Sequence, residues 1–303
     1  MNLKQKIIDY SKTLGIDAIG FTTPDIPYED VKEYLNFLAE KNYGDMTWLE
    51  TRAELRLNPL KLHPPTKTII MIGVNYFDNN KPQYDYEISI YANQQLDYHS
   101  WVWEKAKKLA EFIDSMGEQS RYFVDSAPIM ERVFAKKTNI GWQGKHTCIV
   151  SRKFGSWLFL GSILTSLEIE PDSPHKNMCG SCTKCIDACP TSALTPYKLD
   201  VVKCLSYLSI EHKGEIPQEL QDKFGNKVFG CDDCLKACHF NKFTVQSNHS
   251  EVAYNEKFPK SLNELSSLNE NSFATIFKKT PIKRLGLKNL LRNVAIAMKN
   301  KNK

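Results

Sequence analysis

The sequence predicts an α/β N-terminal domain over residues 1–170, a small cysteine-built domain over 171–250 and a short basic helical segment over 251–303. Three observations predict this. Apolar residues with strand and helix periods alternate through the first 165 positions, the pattern of an α/β layer. Eight of the nine cysteines fall between positions 179 and 238. Near the C-terminus, Leu287, Leu290, Leu291, Val294, Ala297 and Met298 recur at helical spacing and form one apolar face.

In chain order, residues 3–14 read as a helix with Ile7, Ile8 and Leu14 on one side, 17–21 as a short strand and 28–40 as a second helix. The run 68–75, Thr-Ile-Ile-Met-Ile-Gly-Val-Asn, has the composition of a strand buried on both faces. Residues 101–116 form an amphipathic helix with Trp101, Ala106, Leu109 and Phe112 apolar. A strand at 121–124 stops at Asp125-Ser126-Ala127-Pro128, with a helix expected to follow and Pro128 in its first turn. Residues 146–151 and 156–165 read as paired strands, 166–178 as a linker, 201–210 as a helix inside the cysteine-rich part, and 258–303 as helical.

The cysteines run Cys179-x2-Cys182-x2-Cys185-x3-Cys189-Pro190, then Cys204, then Cys231-x2-Cys234-x3-Cys238. A cubane iron–sulfur cluster needs four thiolates. In bacterial two-cluster ferredoxins a tight run supplies three, and its last cysteine serves the other cluster. One 4Fe–4S cluster would therefore take Cys179, Cys182, Cys185 and Cys238. The other would take Cys189, Cys231, Cys234 and Cys204, the last replacing a cysteine that the second run lacks. Gly180 and Gly230 let the loops wrap closely, and Pro190 redirects the chain. Zinc favours separated pairs of cysteines, and disulfides belong to oxidising compartments, so a bacterial-ferredoxin-like two-cluster domain fits better. Cys148, in an apolar stretch, reads as a core thiol.

Net charge is +5, unevenly spread. Residues 278–303 carry nine basic side chains and no acid, leaving 31 basic against 35 acidic groups elsewhere. That asymmetry suits a polyanion such as nucleic acid, or equally a solvated helix end. The start of the chain shows no signal-peptide pattern, and its longest apolar stretch, 157–164, is too short to span a bilayer. Reduced thiols, no signal and no span imply a cytoplasmic protein with no membrane contact.

Other candidates for chemistry are few. Asp125 sits where a strand ends, a position that suits a functional carboxylate; on position alone a helix N-cap explains it better. Arg132 could orient a carboxylate or bind a polar cofactor, or could make a surface ion pair. The loop Gly141-Trp142-Gln143-Gly144-Lys145-His146 could cradle a cofactor or be a plain turn; it lacks phosphate-loop spacing. Asp97-Tyr98-His99 lacks the glycine of the cobalt-ligating Asp-x-His-x-x-Gly pattern, leaving Tyr98 and His99 as pocket or core residues. No G-x-G-x-x-G follows a strand, so a nicotinamide or flavin site is unsupported.

Together these residues resemble the epoxyqueuosine reductase family. The resemblance rests on 124–132 (Val-Asp-Ser-Ala-Pro-Ile-Met-Glu-Arg), 141–147, the first cysteine run through Thr191, Cys204-Leu205-Ser206-Tyr207-Leu208, 229–235, Pro281-Ile282-Lys283-Arg284 and Arg292-Asn293. It covers essentially the whole chain. It implies a base-off cobalamin between the α/β and cluster domains, with no histidine on cobalt. Asp125 matches the family's proposed proton donor and Arg132 a position near the corrin. Tyr98 and Lys145 join them as expected cofactor-binding residues. The substrate implied is tRNA carrying epoxyqueuosine, acted on by a monomer fed by an external donor such as ferredoxin or flavodoxin. Two departures stand out: His239 follows Cys238 where the family usually has proline, and the sequence stops short of the helical repeat domain that some members carry.

The resemblance implies a two-electron epoxide deoxygenation, the clusters relaying single electrons and Asp125, kept protonated by a dry pocket, acting as general acid. Rival readings are a reductive dehalogenase-like cobalamin enzyme, a plain ferredoxin-type carrier module, and a tRNA-binding protein with structural clusters.

Overall fold

The computed structural model describes residues 2–80 and 83–302; Met1 and Lys303, which entered the readings of the two chain ends, lie outside them. At the centre of the N-terminal part is a four-stranded sheet built from β1 (Ala18–Thr22), β2 (Thr68–Asn75), β3 (Ser120–Phe123) and β4 (Leu158–Thr165). The strand order is β1-β2-β4-β3, and every neighbouring pair is antiparallel. Strands and helices alternate as expected, but no neighbouring strands are parallel: β2 and β3 run the same way, joined by a crossover, with the antiparallel β4 between them.

All eight residues of β2 are buried, because both faces of the sheet are covered. Ile70, Ile72 and Val74 enter one core, and Ile69 and Met71 the other, the period-two division of a strand. Helices α1 (Leu3–Thr13), α3 (Tyr98–Asp114) and α4 (Glu131–Lys136) pack on the sheet, and α2 (Tyr28–Ala39) is tied to α4 by the Asp30–Lys136 ion pair. Helix α3 drives Val102, Ala106, Leu109 and Ile113 into the first core with no exposure, the valine, leucine and isoleucine contributing about 1.5–3 kcal/mol each. Helix α4 covers the opposite face through Phe134 and Ala135.

Three local expectations are corrected. Helix α3 starts at Tyr98 because the Asp97 side chain accepts from the His99 N–H and caps the first turn. Helix α4 starts at Glu131, not beside Pro128, and Met130 precedes it in non-helical conformation. Ile149–Val150 pairs with Trp142–Gln143 instead of with β4, whose two edges are already taken by β2 and β3.

In the cysteine-rich part, the helix expected over 201–210 is broken at Cys204. A 3-10 turn (Val201–Lys203) precedes it, α5 (Leu205–Ile210) follows, and Cys204 between them is extended. Gly180 and Gly230 adopt φ of 49° and 72°, and a side chain on Gly230 would collide with Ser89. The C-terminal helix α6 (Leu287–Lys301) buries Leu287, Leu290, Val294 and Ala297. It shares that core with Tyr86 and Ala92 from the N-terminal part and with Val228 and Phe229. Arg292 donates to the carbonyls of Leu208, His212 and Gly214, and Asn293 to those of Ser209 and Val228. The Arg-Asn pair thus clamps α6 to the cysteine-rich part.

Candidate active site

The eight clustered cysteines separate into two groups. Cys179, Cys182, Cys185 and Cys238 line one cavity, together with Lys145, His146, Lys184, His239 and Phe240. The others form a second neighbourhood, in which Cys204 is within electrostatic reach of Cys189, Cys231 of Cys204, and Cys234 of both Cys231 and Cys204. All eight are free thiols. Among the described residues, no three or more His, Cys, Asp or Glu side chains gather closely enough for a single metal ion. Sulfurs ringing a space suit a multi-iron cluster. His239 opens a short 3-10 helix (His239–Phe243), a first-turn position where proline is equally tolerated.

The two neighbourhoods differ in depth. Around the first run, Met178, Gly180, Ser181, Thr183 and Lys184 are exposed. Around the second, Gly230, Asp232 and Leu235 are buried, and burial pushes the Cys231 thiol up to about 12 and Cys234 higher still. Cys148 adjoins the inner group, with Cys234 and Cys204 both feeling its charge. Its own thiol is pushed up by burial and lowered by the nearby Arg132 charge.

The Arg132 charge also acts on the Asp125 group. Asp125 has φ of 51°, a left-handed conformation that aspartate tolerates better than most residues. Its N–H donates to Glu131 Oε1 at 3.2 Å, which turns the strand end back over the start of α4. The side chain caps no helix. Oδ2 accepts from the Tyr98 hydroxyl at 2.8 Å and faces His99 Nε2 at 3.6 Å. The Tyr98 ring stacks on Phe159 at 4.2 Å, so the residue serves both core and pocket. His99 Nδ1 lies 2.7 Å from Asp97. The Asp125 side chain is 64% exposed, yet surrounding protein still desolvates it strongly. It therefore lies in an open hollow and not on a protruding surface.

Charge in this hollow is distributed against expectation. Burial pulls the Asp125 carboxyl upward, but the facing His99 ring, the hydrogen bond from Tyr98 and the charges of His99 and Arg132 outweigh it and hold the group below its usual range. Asp125 is ionised at rest, contrary to the protonated carboxyl expected. The protons sit beside it. Burial works against charge on His99, but its bonds to Asp125 and Asp97 raise it to about 9. Burial and then the Asp125 charge push Glu131 up to about 8. Arg284, paired with Glu211, also reaches Asp125 electrostatically.

Tyr98, Asp125 and Arg132 thus come together, and Lys145 does not join them. Its ammonium donates to the carbonyls of Gly180 at 2.7 Å and Cys182 at 2.9 Å, bracing the outer cysteine loop. The glycine loop is a hairpin turn in which Gly144 N–H donates to Cys148 O, and a side chain on Gly141 would strike the Val150 backbone. Glu131 was not singled out from sequence. Its one signal is an acidic residue in the first turn of a helix whose apolar side faces the core.

Two groups of four thiols together with the Asp125 carboxylate define an electron-transfer enzyme of the double-cluster class. Residues 178–241 match the 4Fe-4S double cluster binding domain, and residues 56–126 match the family described as Epoxyqueuosine reductase QueG, DUF1730. The epoxyqueuosine reductase of Leadbetterella byssophila is 36% identical over 294 residues, covering 96% of this chain and 97% of that one. A crystal structure of epoxyqueuosine reductase with an epoxyqueuosine-modified tyrosine-tRNA stem loop matches with TM-score 0.88 and 30% identity, over 98% of this chain and 81% of that one. The Bacillus subtilis enzyme, solved with an aspartate-bearing catalytic loop swung out of the active site, matches with the same TM-score and identity. The chain belongs to the epoxyqueuosine reductase family.

Proposed function

We propose that this protein reduces epoxyqueuosine to queuosine in the anticodon loop of tRNA, using cobalamin and two 4Fe–4S clusters. The observations that carry the reading are the two thiol groups, the Cys148 thiol adjoining the inner one, and the Arg132 charge that acts on both Cys148 and Asp125. The first cluster is assigned to Cys179, Cys182, Cys185 and Cys238, and the second to Cys189, Cys204, Cys231 and Cys234.

The site fits cobalamin in two respects: Asp125 and Arg132 are exposed to an incoming ligand, and the Tyr98 hydroxyl stands beside the carboxylate as a further polar contact. Tyr98, Asp125 and Arg132 would hold it. Bound there, the cofactor supplies a strongly reducing cobalt, and the organic difficulty belongs to it and not to the protein.

The protein's own task is protons. Converting an epoxide to an alkene consumes two electrons and two protons and releases one water. A ligand filling the hollow strips water from the Asp125 carboxylate, which raises its affinity for a proton. His99 and Glu131 both hold protons at neutral pH and adjoin it. Asp125 then takes up a proton and delivers it to the leaving oxygen as general acid.

The substrate's phosphates have partners at the rim. The Asp97 N–H, at the cap of α3, donates to the Lys279 carbonyl, which brings the C-terminal basic stretch beside the hollow. Of its cations, Arg284, Arg292 and Lys301 are engaged within the protein. Lys278, Lys279, Lys283 and Lys288 are exposed and make no ion pair among the described residues. This favours the polyanion reading for the front of the stretch and the structural reading for α6. No helix among the described residues is long and apolar enough to cross a membrane, and the substrate assigns the work to the cytoplasm.

The test is Asp125→Asn, which keeps the shape and removes the carrier. Single-turnover conversion of an epoxyqueuosine stem loop should fall at least about 100-fold, with cluster and cobalamin spectra unchanged. Conversion at the wild-type rate would remove Asp125 from the mechanism.

A further inference from the structure

The electrons need a place to enter, and the outer thiol cavity is the end of the relay nearest solvent. Three large apolar side chains stand exposed around it. Met178, 41% exposed, precedes Cys179; Tyr197 is 38% exposed; Phe243, 70% exposed, ends the short helix that follows Cys238. Tyr197 is no loose side chain. Its backbone is held at φ of 67°, its N–H donates to Lys145 O at 3.0 Å, and its hydroxyl accepts from Asn177 at 3.2 Å. Those contacts tie it to the loop that Lys145 braces.

Cations surround this apolar patch. Lys176, Lys198 and Lys242 are exposed and make no ion pair among the described residues. Residues 174–198 carry Lys176, Lys184 and Lys198 against one acid, Asp187, and residues 239–248 carry Lys242 and no acid. Apolar contacts ringed by unpaired like charges form the pattern of a transient interface, in which the charges steer and orient the encounter and the small apolar centre sets contact.

We propose that this face docks a small acidic one-electron carrier protein, which reduces the cluster held by Cys179, Cys182, Cys185 and Cys238. The inference rests on the proposed function for the fate of the electrons. Each encounter oxidises the carrier by one electron and reduces the cluster by one, so two encounters supply the two electrons of one turnover. RNA would also be attracted to these lysines, but it brings no electron, and the free basic stretch beside Asp125 lies at the substrate end of the molecule.

The test uses cluster-loaded protein, photoreduced flavodoxin as the probe, and stopped-flow absorbance of the clusters. The triple variant K176E/K198E/K242E should lower the second-order rate about tenfold or more at low ionic strength, and the difference should shrink to about twofold or less near 0.5 M salt. The neutralising variant K176Q/K198Q/K242Q should lose less. Reduction by dithionite, which needs no docking, should match wild type in both. A flavodoxin rate and salt dependence equal to wild type would overturn the proposal. So would a selective loss of stem-loop affinity with the flavodoxin rate intact, which would make the face an RNA surface. Because cluster reduction is read without substrate, a wild-type protein that accepts electrons from flavodoxin yet fails to convert epoxyqueuosine would refute the function and leave the docking face standing.

Discussion

Glutamine at position 131 keeps the shape of a neutral glutamic acid and its bond to the Asp125 N–H, and removes the proton. In the native protein burial and the Asp125 charge raise Glu131 from 4.5 to about 8. The folded chain then holds a proton that the unfolded chain releases between those values. Stability contributed by this group is complete below about pH 4.5 and declines as the pH rises towards 8, where the folded group also ionises. At about 1.4 kcal/mol per pH unit the interval amounts to about 5 kcal/mol; partial exposure and screening reduce it to about 2 kcal/mol. Glu131→Gln removes the decline. Relative to wild type it should gain about 4 °C in thermal midpoint near pH 9 and little near pH 5. The assay is thermal unfolding of both cluster-loaded proteins across that range. Infrared difference spectra should lose a protonated-carboxyl band in the variant. Parallel stability curves and an unchanged band would refute the claim that Glu131 stores a proton beside Asp125.

Other outcomes follow from the same geometry. Cys204→Ala should leave the outer cluster in place and abolish the inner one, halving bound iron from about eight to about four atoms per chain; loss of all iron, or none, would contradict the partition. Arg292→Ala strands three backbone carbonyls that its guanidinium now satisfies, and should cost about 3 kcal/mol in denaturant unfolding. Neutralising Lys278, Lys279 and Lys283 to glutamine should weaken stem-loop binding across sequences and reduce the slope of log affinity against log salt by about 2.

The parts legible in the sequence were those with local causes. Strand 68–75 was readable to the residue because an uninterrupted apolar run buried on both faces has few other uses. The partition of the cysteines follows from loop spacing, and Cys204 could be matched to the second group by counting, although the break in the helix that frees it could not. Relations between distant segments were hidden. His99 and Asp97 read as a failed cobalt motif, because their charge depends on Asp125, which follows a whole helix and a strand later. Asp125 read as a helix cap or a protonated acid, because neither the delayed start of α4 nor the ring of cations leaves a mark in local pattern. Lys145 was grouped with the cofactor residues by its glycine loop, whereas the fold spends its ammonium on two carbonyls of the outer cysteine loop.

The most direct measurement of the central claim loads the protein with iron–sulfur clusters and cobalamin, adds dithionite and an epoxyqueuosine-containing tRNA stem loop, and analyses the nucleosides. The account predicts queuosine in a yield that requires both the cobalamin and Asp125. Unchanged epoxyqueuosine, with both clusters reduced, cobalamin bound and the stem loop in complex, would contradict it.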